Sequence, residues 1–172
     1  METSPSPIAA ERPAGWLRAA LVTGLLAGTL DITAACTQYV LTTHKSPVDV
    51  LHFVASGLVG RAAFVGGAGT AVLGLVAHYG IAVVFAVFLY WLSPRLPVLL
   101  RHPVLAGLGY GLVVWLVMNL VVLPSSRVAA RPLKPEPAAI GLVILMLCIG
   151  LPIALRAARY YAGQRPGAGR PL

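Results

Sequence analysis

The chain has 172 residues, of which 58% are hydrophobic and only 10% charged, with a mean hydropathy of +0.85 and a net charge of +8. A soluble domain of this size carries about a quarter Asp, Glu, Lys and Arg, so that class is excluded and most of the surface must face lipid. The positive charge does not point to nucleic acid, because Arg18, Arg95, Arg101, Arg127, Arg131, Arg156 and Arg159 flank apolar stretches; basic residues there orient helices and meet anionic head groups.

Each membrane span needs roughly 20 apolar residues, so four spans use most of the chain and leave no room for a separate soluble domain. Residues 1–15 are rich in Pro, Ser and Glu, too polar to pack, and are expected to be disordered. Trp16 follows as an interfacial aromatic, and the first span is predicted over 17–41. A cleaved leader is not expected. Asp31 interrupts the apolar run, and Thr33 stands where a lipoprotein box carries a branched apolar residue.

Ser46-Pro47-Val48-Asp49 reads as a helix start, with Ser46 as cap and Pro47 in the first helical position. From there an amphipathic helix is predicted over 47–64, with Asp49, His52, Ser56 and Gly60 on one face. It is too short to span, so an interfacial or re-entrant placement fits. Gly66-Gly67-Ala68-Gly69 forms a flexible joint.

The second span is predicted over 67–92, closed by Ser93-Pro94 and by Tyr90-Trp91 as an interfacial pair. A short basic loop leads to the third span, 103–123, which is expected to stop at Pro124. The segment 125–137 is expected to be irregular. The fourth span is predicted over 138–155, with a kink at Pro152, and residues 162–172 form a disordered tail of Gly, Pro and Arg. The expected fold is therefore all-α: a four-helix transmembrane bundle with one additional amphipathic helix.

Basic residues set the orientation. Eight lie on the side of the termini (Arg12, Arg18, Arg95, Arg101, Arg156, Arg159, Arg165, Arg170) and five on the other (Lys45, Arg61, Arg127, Arg131, Lys134), which places both termini in the cytoplasm.

Asp31 is the outstanding residue. An ionisable group inside a span costs about 3 kcal/mol on insertion scales, and persists where it meets a partner, a cavity or a pathway. Gly24, Gly28, Asp31, Ala35 and Gln38 recur at helical spacing on one face, and the Gly24–Gly28 pair admits close approach of a neighbouring helix. The second span carries His78 and the third Asn119, beside a small face at Gly107 and Gly111. Counted from the terminal-side end of each span, Asp31, His78 and Asn119 lie about 14 to 16 residues deep, or ~21–24 Å. We therefore expect one intramembrane polar cluster. It would serve as a site for a proton or small polar solute, in a transporter- or channel-like role. Alternatively it would fix helix packing in a scaffold or partner subunit.

An enzyme acting on lipid is the weaker reading, with only Asp49, His52 and Ser56 at the interface to carry it. No HExxH, GxSxG or P-loop occurs, and a bis-histidine haem is rejected because only His78 is intramembrane. No catalytic residue, metal or cofactor is assigned. Cys36 and Cys148, each within an apolar run, are not expected to pair. The partners expected are the bilayer and, because four helices rarely enclose a pathway alone, a second copy or another membrane protein. The glycine faces are available for such an association.

Gly28-Thr29-Leu30-Asp31, Ala55-Ser56-Gly57, Gly66-Gly67, His78-Tyr79, Tyr110-Gly111, Trp115 through Leu120, and Leu123-Pro124 together resemble the YagU-like family of uncharacterised bacterial inner-membrane proteins. The resemblance covers roughly residues 20–155. It implies a four-helix protein of the bacterial inner membrane, and it implies no activity.

Overall fold

The computed structural model describes residues 15–128 and 135–164. Residues 1–14, 129–134 and 165–172 lie outside the described residues, and with them the predicted disorder of 1–14 and 165–172 and most of the loop expected before the fourth span. No strand occurs among the described residues. Four helices are long and apolar enough to cross a membrane: α1 (Trp16–Thr43), α3 (Gly67–Leu92), α4 (Pro103–Ser125) and α5 (Pro135–Ala162). A shorter helix, α2 (Val48–Val59), lies between the first two, and a single helical turn, Val98–Arg101, precedes α4.

Local sequence explains the boundaries. α1 follows Gly15 at φ 87°, and ends where His44 turns left-handed at φ 56° with its N–H still bonded to the Val40 carbonyl at 2.9 Å. Pro103 opens α4 in the first helical position, where its missing N–H has no intrahelical partner to lose. At α2 the Ser46 hydroxyl accepts the Val48 N–H at 3.3 Å, one residue ahead of Pro47. α2 then runs into a 3₁₀ turn, Gly60–Phe64, through Gly60 at φ 65°, ψ −147°, a backbone conformation open to glycine.

The third and fourth spans run past their expected limits. α4 continues through Pro124 to Ser125, and α5 runs from Pro135 to Ala162 rather than over 138–155. Each of the two proline-containing spans widens just before its proline, into π-helical turns at Met118–Val122 and Leu145–Gly150. The physical reason is the same in both. A proline ring collides with the carbonyl four residues back and donates no hydrogen bond. Widening the turn lets the helix pass instead of ending.

Lipid offers no hydrophobic drive to bring helices together, so contact relies on close backbone approach. α1 meets α3 at Gly24, where an added Cβ would lie 2.7 Å from the Val83 Cα, and at Gly28, where it would lie 3.0 Å from the Tyr79 ring. α4 meets α5 where Gly107 and Gly111 pack against the backbone of Gly150. All four predicted glycines thus serve contacts inside one chain. Ala20, Ala27, Ala82 and Ala86 fill the seams with Leu89, Tyr90 and Ile153. Leu30, Val76, Val84, Leu105 and Leu120 are 51–71% exposed around the outside, as lipid-facing positions should be.

α2 lies across one end of this bundle. Its Leu51 carbonyl packs directly on Gly74 of α3, His52 Nε2 donates to the Gly67 carbonyl at 3.1 Å, and the Arg127 N–H donates to the Gly57 carbonyl at 3.0 Å. The face predicted to be polar is only partly wet, for Ser56 is 3% exposed and donates to its own helix at the Phe53 carbonyl, 2.6 Å away.

Candidate intramembrane site

Gly28 sets the geometry of the site. Because it has no side chain, α3 comes near enough for His78 Nε2 to lie 2.9 Å from the Gly28 carbonyl oxygen. A carbonyl only accepts, so Nε2 carries the hydrogen and Nδ1 is left for a second proton or an acceptor role. One turn further along α1, Asp31 Oδ2 stands 3.9 Å from the same Nε2. That is an ion-pair separation, about 1 Å longer than a hydrogen bond. Neighbouring hydroxyls brace the seam: Thr29 donates to the Leu25 carbonyl at 2.9 Å, so Tyr79 donates to Thr29, also at 2.9 Å.

The two side chains are 15% and 12% exposed, and both line a cavity of about 80 Å³. All five helices line it. Asp31 and His78 are its ionisable groups, and Val54, Phe85, Met118 and Ile149 contribute to an otherwise apolar wall. The volume holds a few waters or a small solute and falls well short of the several hundred Å³ that a drug-sized ligand fills. Met118 belongs to the π turn of α4, and Leu145 and Ile149 to that of α5, so the proline-induced widening shapes the cavity wall. Val54 places α2 over the cavity on the side away from the termini.

The Asp31 carboxylate receives no hydrogen bond from any described residue. Asn119, the third residue expected in the cluster, donates to the Trp115 carbonyl of its own helix at 2.9 Å, and no hydrogen bond joins it to Asp31 or His78. The secondary candidates also lie apart. Gln38 reaches Thr42 of the same helix at 3.5 Å, Asp49 accepts from the Tyr39 hydroxyl at 3.4 Å, and His52 and Ser56 have the backbone partners given above. No three His, Cys, Asp or Glu side chains converge in a metal-holding group among the described residues. Cys36 and Cys148 are both free thiols.

A second polar network was not legible in the sequence. At the terminal-side end of the bundle the Arg156 Nε donates to Thr23 Oγ1 at 3.1 Å, Thr23 bonds the Tyr90 hydroxyl at 3.0 Å, and the Tyr161 hydroxyl donates to the Tyr90 carbonyl at 2.7 Å. Tyr90, expected at the interface beside Trp91, is only 1% exposed, whereas Trp91 lies at the surface with the Arg95 guanidinium 4.0 Å above its ring. Arg156 gave the sole warning, since an arginine counted as a flanking charge can turn its guanidinium inward when a hydroxyl stands within reach.

No family model matches the chain, and neither a curated protein nor a solved structure matches it.

Proposed function

We propose that this multi-pass membrane protein passes a proton or a small polar solute through the cavity at Asp31 and His78, in the bacterial inner membrane with both termini in the cytoplasm. The observation that carries this reading is the state of the Asp31 carboxylate. It lies inside a span, faces a cavity, and no described residue donates a hydrogen bond to it. A group kept only for packing would be expected to spend its acceptors on neighbouring helices, because an unsatisfied polar group in hydrocarbon is costly. A carboxylate that exchanges a proton or holds a solute must instead keep its oxygens open to the cavity.

In this reading Asp31 is the acceptor. His78 is held beside the carboxylate by the Gly28 carbonyl; a proton taken up at Nδ1 gives the imidazolium, whose Nε2–H can pass to Asp31 within a movement of about 1 Å, leaving the ring neutral with its hydrogen on Nδ1. The cargo is limited to something that a cavity of about 80 Å³ admits.

The test is proton flux into liposomes that contain the purified protein and a trapped pH-sensitive dye, under an imposed potential. Wild type should acidify the lumen faster than protein-free liposomes, and Asp31→Asn, which preserves shape and acceptor capacity but cannot ionise, should fall to the protein-free rate. If Asp31→Asn conducts like wild type while Asp31→Leu no longer assembles, Asp31 is a packing residue and the proposal is wrong.

A further inference from the structure

Two arginines that are far apart in sequence converge at the opposite end of the bundle from the termini. Arg61 lies in the 3₁₀ turn after α2, and Arg127 two residues beyond the end of α4. They line one groove together with Phe53, Ser56, Phe64 and Val128. The backbone holds them there. Gly60 turns at φ 65°, the Arg127 N–H is fixed on the Gly57 carbonyl at 3.0 Å, and the Ser126 hydroxyl accepts the Val128 N–H at 3.2 Å. The fold therefore brings two like charges to one place, with no carboxylate among the groove-lining residues. Neither guanidinium has an ion pair or a side-chain hydrogen bond among the described residues. Like charges held together without a counter-charge are unfavourable unless an anion joins them, and planar guanidinium groups match the oxygens of a phosphate.

We propose that this groove binds the phosphodiester of an anionic phospholipid in the leaflet opposite the termini. Position and surroundings favour a lipid over a free oxyanion. The groove lies at the level where α4 ends and α3 begins, where head groups lie. Beside it Phe64 and Val65 are 47% and 87% exposed, apolar groups placed to contact acyl chains. The enclosed part is only about 20 Å³, room for about one oxygen-sized group, so a headgroup oxygen enters while its glycerol and acyl chains stay outside. Arg61 and Arg127 also lie on the side where the positive-inside rule favours few cations, so a local role has to account for them. The inference does not depend on the Asp31 site.

The test uses the full chain purified in a neutral detergent, with native mass spectrometry counting retained lipid after addition of phosphatidylglycerol or phosphatidylcholine. Wild type should retain one phosphatidylglycerol in preference to phosphatidylcholine. Arg61→Gln/Arg127→Gln should weaken that retention at least about tenfold, since each change removes charge-assisted hydrogen bonds. Arg95→Gln, at the other end, should leave it unchanged. Either single Gln variant serves the same comparison if the double variant does not fold, as judged by circular dichroism. Equal retention of the two lipids by wild type, or undiminished retention in the Gln variants, overturns the proposal. Inorganic phosphate that displaces the lipid completely and raises the melting temperature by itself assigns the site to a free oxyanion and overturns the lipid source.

Discussion

Three polar residues at similar depth make three different choices of partner. His78 donates to the Gly28 backbone, Asn119 to the Trp115 backbone one turn before it, and Asp31 accepts from no described residue. Sequence spacing gave the depth of each but not the partner, because a backbone carbonyl that accepts from a side chain leaves no mark on the side-chain pattern. The consequence is testable by substitution. Asn119→Leu removes only a bond within one helix, so proton flux should be unchanged. His78→Gln keeps a donor for the Gly28 carbonyl but cannot titrate, so it should lower flux while preserving the melting temperature of the purified protein. A loss of flux in Asn119→Leu with normal assembly would return Asn119 to the site.

At the scale of the element, glycines on the same helix do opposite work. Gly74 of α3 carries the Leu51 carbonyl of α2 directly against it, whereas Gly80, six residues on, has nothing within 4 Å of where a Cβ would stand. Helix propensity alone favours alanine over glycine by about 1 kcal/mol at either position. Overpacking a close contact costs about 1–3 kcal/mol, which outweighs that gain. Gly80→Ala should therefore raise the thermal midpoint in detergent and Gly74→Ala lower it, with α2 lifting from the bundle. A rise in both would mean that α2 does not bear on α3. The sequence marked Gly24, Gly28, Gly107 and Gly111 through their regular spacing, but Gly74 and Gly150 stand alone. The prolines were legible as irregularities, and the structure supplies their form: Pro124 and Pro152 widen their helices, and the widened turns line the cavity.

For the whole molecule, four apolar helices with a lipid-facing exterior leave the direction of insertion to the basic residues. The excess of eight over five on the side of the termini predicts that both ends are cytoplasmic. A C-terminal green fluorescent protein fusion should fluoresce and an alkaline phosphatase fusion at the same point should be inactive. The reverse pattern would invert the orientation, and with it the leaflet that Arg61 and Arg127 face.

The sequence by itself determined the number of spans, their approximate limits and the presence of an amphipathic helix after the first. Those features follow from local hydropathy and helical period, which act over a few turns of one segment. It also singled out Asp31 and His78, because an ionisable residue in an apolar run is conspicuous wherever the run packs. Only the tertiary structure decided that these two stand 3.9 Å apart beside a cavity, that Asn119 makes no bond to them, and that Arg61 and Arg127 line one groove. Each of those outcomes depends on how two or more segments approach and rotate about their own axes. In lipid that is settled by small residues meeting small residues across a seam, a relation between segments that no single stretch of sequence contains.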